Sequence, residues 1–96
     1  MKMFVIVRKD LTDSQRAVQG GHALAEFLLH GPSTNWSNGT LIYLGVKGLK
    51  QLHTLKRKFD NEHISYSMFV EPDMNNEITA LATDIENKHL KKLNLL

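Results

Sequence analysis

The sequence predicts an α/β domain: a mixed four-stranded sheet flanked by helices, in the order β-α-β-α-β-β with a short C-terminal tail. Three observations carry this. Met3-Phe4-Val5-Ile6-Val7 is continuously apolar, as in a strand covered on both faces. Helical patterns separate the first three strand-like runs, which asks for parallel strands joined by crossovers. The last two strands are joined by a loop too short for a crossover, so they are antiparallel or not adjacent.

The elements follow in order. Thr12-Asp13-Ser14-Gln15 reads as a capping box, with Thr12 accepting from the Gln15 amide and Gln15 reaching back. The helix it opens runs to about Leu29, with Val18, Gly21, Ala25 and Leu28 expected against the sheet. Gly20-Gly21 would weaken an isolated helix by roughly 1 kcal/mol each relative to Ala, which points to close approach of a backbone or a ligand. His30 to Gly39 is a loop by composition. Thr40 to Val46 is the second strand. A helix from about Lys47 to Phe59 follows, its apolar side made by Leu49, Leu52, Leu55 and Phe59. Asp60-Asn61-Glu62 is a turn. Ile64 to Val70 is the third strand, with Ile64, Tyr66, Met68 and Val70 on one face. Glu71 to Asn76 is a polar loop, and Ile78 to Thr83 is the fourth strand. Asp84 to Leu96 is a helical or irregular tail whose leucines can pack back.

Composition excludes several classes. The chain has 96 residues, so residues 1–96 form one domain near the small end for a self-sufficient core. With no cysteine there is no disulfide framework and no thiolate chemistry. No window approaches the roughly 18 apolar residues of a membrane span. Met1-Lys2-Met3-Phe4 leads into a run too short for a signal-peptide core. A cytoplasmic protein without membrane association is expected. The net charge of +2 is unevenly spread: basic residues dominate up to Lys58 and acidic ones after it. That asymmetry suggests an anionic partner for the N-terminal part, or one helix with a basic solvated face.

Three polar clusters could carry chemistry. Gln15, Gln19, His22 and Glu26 lie four, three and four apart, so they share one helix face, with Arg16 beside them. On spacing alone this is a solvent face. Yet it begins at a helix N-terminus, where free amides attract anions, and it includes a group that exchanges protons near neutrality. The second cluster is Glu71-Pro72-Asp73-Met74-Asn75-Asn76-Glu77, ending at Thr79. Its carboxylates could orient a water, or it is simply a charged turn. The third is Lys47, Lys50, His53, Lys56, Arg57 and Lys58 on the second helix, suited to a phosphate backbone or to plain solvation. Trp36 could stack on a base or cap the core. The chain has no phosphate-binding glycine loop, no Cys/His metal spacing and no nucleophile elbow.

The apolar strand, then Arg8-Lys9-Asp10-Leu11, then Ala17-Val18-Gln19-Gly20-Gly21-His22-Ala23 resembles the opening of the archaeal and eukaryotic, second class of peptidyl-tRNA hydrolase. The resemblance covers nearly the whole chain. Trp36 precedes the second strand, residues 49–59 match a leucine-rich helix, and Glu71-Pro72-Asp73 with Thr79-Ala80-Leu81 matches an acidic loop and a strand. The tail from Ile85 to Leu96 resembles the family's short helix and terminus. A divergent bacterial- or phage-type member is implied, with a mixed α/β sheet, often a homodimer, and no metal or other cofactor. The implied activity is hydrolysis of the ester between a peptide and the 3′ ribose of tRNA, with tRNA as the partner.

Carried over by residue, the resemblance makes Gln19, His22, Asp73 and Thr79 catalytic, with Glu71 the other carboxylate because the loop is shorter here. The family's helix lysine is replaced by Gln15. Arg16 or Lys9 would then reach the phosphate or ribose, although an arginine cannot serve as a proton-transfer base. Lys56, Arg57 and Lys58 would hold tRNA phosphates, and Gln15 and Thr79 would donate to the oxyanion. The alternative is a non-catalytic tRNA- or protein-binding module that keeps the fold without the lysine.

Overall fold

The computed structural model describes residues 1–96 as β1 (Lys2–Arg8), α1 (Asp13–His30), β2 (Thr40–Val46), α2 (Leu49–Asn61), β3 (Ser67–Glu71), β4 (Glu77–Thr83) and β5 (Asn94–Leu95). Single 3-10 turns lie at Pro72–Met74 and Leu90–Lys92. The strands form one mixed sheet in the order β3-β4-β1-β2-β5. β1 runs parallel to β2 and antiparallel to β4, which is antiparallel to β3. The sheet therefore has five strands, not four. The tail ends in the extra one, Asn94–Leu95, held beside Leu44 and Gly45 and closed by a hydrogen bond from Leu96 N–H to Tyr43 O of 3.1 Å. The third strand also starts later than its alternation suggested, at Ser67.

Strand order fixes where the helices lie. α1 crosses from β1 to β2 in one direction along the sheet, and α2 crosses from β2 back to β3 in the other. Crossovers of one hand in opposite directions put the helices on opposite faces. One core accordingly joins Leu52, Leu55 and Phe59 of α2 to Phe4, Ile6, Leu44, Val46 and Leu81. The other joins Ala23 and Phe27 of α1 to Met3, Val5, Val7, Ala80 and Ala82. Every residue of β1 from Met3 to Arg8 is buried, as the continuous apolar run requires.

Helix α1 presents a different face from the expected one. Gln19, Gly20, Ala23 and Phe27 are buried, whereas Val18 and Leu28 are 54% and 48% exposed and Gly21 and Ala25 face solvent. The cause lies at the helix start. Arg16 turns inward, its Nε donating to Leu11 O at 3.1 Å and its Nη2 to Lys9 O. Positions three, four, seven and eleven beyond Arg16 then share its side of the helix, which is the buried stripe. The expected capping box is present, with Gln15 N–H donating to Thr12 Oγ1 at 3.2 Å and Thr12 N–H to Gln15 Oε1 at 2.9 Å.

The two helical glycines have different reasons to be there. A methyl at Gly20 would lie 2.5 Å from Cε2 of the Tyr43 ring, while a methyl at Gly21 would meet nothing. The close approach is thus a side chain at Gly20, and Gly21 faces open space. Gly21→Ala is expected to stabilise the fold by about 1 kcal/mol through helix propensity alone. Gly20→Ala gains the same propensity but overpacks a rigid ring, costing about 1–3 kcal/mol, so it is expected to destabilise. Urea unfolding of the two variants checks this; a Gly20→Ala midpoint above wild type would refute the packing account.

Candidate functional site

The turn between β1 and α1 is gripped from two sides. The buried Arg8 guanidinium donates from Nε to Asp10 Oδ1 at 3.0 Å and from Nη2 to Asp10 Oδ2 at 2.8 Å. Its Nη1 donates to Glu77 Oε1 at 2.8 Å and to Ile78 O at 3.2 Å. A planar fork suits this two-pronged contact with a carboxylate. Its third contact ties the turn to the start of β4. From the inner side, Arg16 holds the carbonyls of Lys9 and Leu11. Arg16 is therefore committed to the turn, with Asp13 a further neighbour at 3.8 Å.

Two of the expected site residues meet directly. Thr79 Oγ1 donates to Gln19 Oε1 at 2.7 Å, and both residues are buried. A β-bulge makes the contact. Phe69 pairs with Ala80 but Val70 with Ile78, so Thr79 is an extra residue in β4. Simple alternation from Ala82 and Ala80 would turn Thr79 toward α2. The bulge resets the phase, leaving Ile78 in the α2 core and Thr79 against α1. With Oε1 taken, the Gln19 amide nitrogen has no partner within the protein and presents two donor hydrogens.

His22 sits one turn further along α1, exposed, with its ring stacked on Phe69 of β3 at a centroid distance of 4.2 Å and an interplanar angle of 10°. Glu71 shares the Phe69 face of β3 by strand alternation and is half-buried, opposite Glu77. Asp73 is exposed on the 3-10 turn, which closes through Asn75 and Asn76, both left-handed at φ 55° and 58°. The residues placed on the α1 side are thus Gln19, His22, Thr79 and Glu71, with Asp73 on the adjoining turn.

Other expected residues are not brought to this site. Lys56, Arg57 and Lys58 lie on α2, across the sheet, and Lys56 is paired with Asp60 at 3.0 Å. Gln15 is exposed and its amide oxygen is engaged in the cap. Trp36 packs into the α1-side core and donates from Nε1 to Thr40 O at 2.9 Å, so it caps the core. Arg8 and Phe69 entered no sequence-based assignment to the site, and Glu77 entered only as the last residue of the acidic loop. Only the Arg8-x-Asp10 spacing hinted at the clamp; the partners from β3 and β4 depend on sheet register.

No family model matches the chain, and no curated protein matches it. Among solved structures it is similar to a protein of unknown function from Agrobacterium tumefaciens strain C58, with a TM-score of 0.73 at 14% identity over 99% of this chain and 96% of that one. That likeness establishes a shared fold from end to end. No helix is long and apolar enough to cross a membrane.

The Arg8 clamp has a pH signature. The hydrogen bond from Arg8 holds the Asp10 carboxyl below the usual carboxylate range. A carboxylate depressed on folding contributes stability above its unfolded pKa of about 4 and loses it as pH falls through the lower folded value. Asp60, lowered by the Tyr66 hydroxyl, and Glu62, lowered by His89, act in the same direction. Wild-type melting temperature is expected to fall once pH drops below about 4. Asp10→Asn is expected to be less stable at neutral pH and to lose less on acidification. Thermal melts across that range decide it, and parallel profiles would discard the clamp.

Proposed function

We propose that this protein hydrolyses peptidyl-tRNA, releasing the peptide and free tRNA. The observation that supports this best is the buried Gln19–Thr79 pair beside the exposed, ring-stacked His22, with Gln19 and His22 in the helix motif where the family resemblance is strongest. In this reading His22 takes a proton from water as its oxygen attacks the ester carbonyl. The bond to the ribose 3′ oxygen then breaks, and that oxygen receives the proton. The free Gln19 Nε2 donates to the oxyanion, and Asp73 or Glu71 orients the water. Thr79 acts as a positioning residue, because its hydroxyl is spent on Gln19.

Peptide release from peptidyl-tRNA tests the proposal. Gln19→Ala is expected to lose on the order of 100-fold in rate, as for removal of an oxyanion donor. His22→Ala is expected to lose roughly 100-fold or more, as for removal of a general base. Asp73→Ala and Glu71→Ala in parallel identify the working carboxylate. Thr79→Val should slow turnover while Thr79→Ser restores it, which a purely structural role for the methyl would reverse. Absence of wild-type turnover at high enzyme concentration ends the enzymatic reading.

One observation favours a second reading, a non-catalytic tRNA-binding module. Gln15, where the family carries its lysine, is held in the helix cap. That reading expects salt-sensitive tRNA binding without peptide release. A cytoplasmic location and a homodimer belong to either proposal. The dimer is supported by the exposed outer side of α1, where Val18, Leu28 and Leu29 face solvent.

A further inference from the structure

Two glycines on the α1 side of the sheet each clear room for one side chain with a polar end. Gly20 admits the Tyr43 ring, whose hydroxyl lies 3.0 Å from where a methyl at Gly20 would sit. Gly45, buried in β2, admits Lys9: a methyl there would collide with the lysine Cε, Cγ and Cδ. Tyr43 and Gly45 are two apart on one strand, so they share a face. The Lys9 stem therefore lies over the same face of β2 as the Tyr43 ring. Its backbone N–H is pinned to Val46 O at 2.8 Å, which holds the root of that stem.

Neither polar end has a partner. The Lys9 ammonium meets no carboxylate, and the Tyr43 hydroxyl takes part in no hydrogen bond. The other cations of this region are spent, Arg8 on Asp10 and Glu77 and Arg16 on the turn. Burial pushes the Tyr43 phenol up, so it stays a neutral donor at physiological pH. Register sets the pair beside the Gln19 site: Val7 lies between Ala80 on one side and Gly45 on the other. Thr79 and the Lys9 stem thus flank β1 at nearly the same height, two strand spacings or about 10 Å apart.

We propose that Lys9 and Tyr43 form a phosphate-binding subsite for the 3′-terminal nucleotide of a single-stranded RNA, next to the Gln19–Thr79 pair. Lys9 supplies the charge and Tyr43 a hydrogen bond, each lying over a glycine that leaves room for it. As a placement of the substrate's RNA end, this rests on the peptidyl-tRNA reading, but binding tests it separately from catalysis.

The test is fluorescence anisotropy with a labelled single-stranded RNA ending in CCA, and with the same RNA lacking its last adenosine, at several salt concentrations. Wild type is expected to prefer the complete end. Lys9→Met, which keeps most of the stem, should weaken binding about fivefold or more and reduce the salt slope by about one. Tyr43→Phe should weaken it about threefold or more, as for loss of one hydrogen bond. Gly45→Ala is the discriminating variant: net charge is unchanged but Lys9 is displaced, so preference for the complete end should disappear. Thermal melts identify any variant that has failed to fold; Lys9→Met, at a half-buried turn residue, keeps the test open if Gly45→Ala fails. Equal affinity of wild type and Lys9→Met for both RNAs overturns the subsite. So does a Lys9→Met loss that a folded Gly45→Ala protein does not share, since that is diffuse attraction only. Hydrolysis is followed in the same preparations. Turnover with KM unaffected by Lys9→Met removes the subsite and leaves ester hydrolysis standing, whereas end-specific binding without turnover does the reverse.

Discussion

Two guanidinium groups hold the three residues after β1, and the rotation of α1 about its own axis follows from that grip. Arg8 closes on the Asp10 carboxylate and Arg16 on the carbonyls of Lys9 and Leu11. Burying a charged group is costly unless its donors are matched, and removing one partner of such a group costs several kcal/mol. Arg8 meets two carboxylates and a carbonyl, so the turn has little freedom to relax. Because Arg16 must point inward, Gln19, Gly20, Ala23 and Phe27 point inward too. Gln19 then reaches Thr79, Gly20 receives Tyr43, and His22 falls on the flank against Phe69.

The existence of each main element was legible from local rules. The unbroken apolar run of β1 announced a strand covered on both sides, and Thr12 with Gln15 announced the helix start. What was not legible was the phase of α1. Its outer side carries Val18, Leu28 and Leu29, so counting apolar residues favours that side. The inward choice was made by a polar residue, Arg16, whose acceptors are backbone carbonyls that apolar periodicity cannot report. β5 escaped notice for a simpler reason. Two residues are too few to show alternation, and their pairing with β2 is a tertiary contact.

The candidate site divides along the same line. Gln19, His22 and Thr79 were nameable from sequence, but the contact between Gln19 and Thr79 depends on one extra residue in β4. Without that bulge the Thr79 hydroxyl would face the α2 core. The basic cluster of α2 shows the opposite failure. Lys56, Arg57 and Lys58 were expected to hold the phosphates of a substrate placed at Gln19, because their run of basic charge suits a phosphate backbone. Strand order places the two helices on opposite faces, and that order is set by long-range pairing that local patterns do not encode.

Gln15 brings the turn and the site together. A lysine at that position could not accept the Thr12 N–H, since an ammonium only donates. It would also set a positive charge at the positive end of the helix dipole. Glutamine avoids both penalties and completes a capping box, an arrangement typically worth about 1 kcal/mol at its N-cap. Glutamine therefore anchors α1 better than a lysine would and adds no cation to its first turn. The unpaired cation left in the turn is Lys9, which enters from the strand side and is seated by Gly45. The same grip on residues 9–11 that orients α1 also fixes where Lys9 begins. An uncharged cap at Gln15 and a positioned charge at Lys9 are therefore two consequences of one local structure.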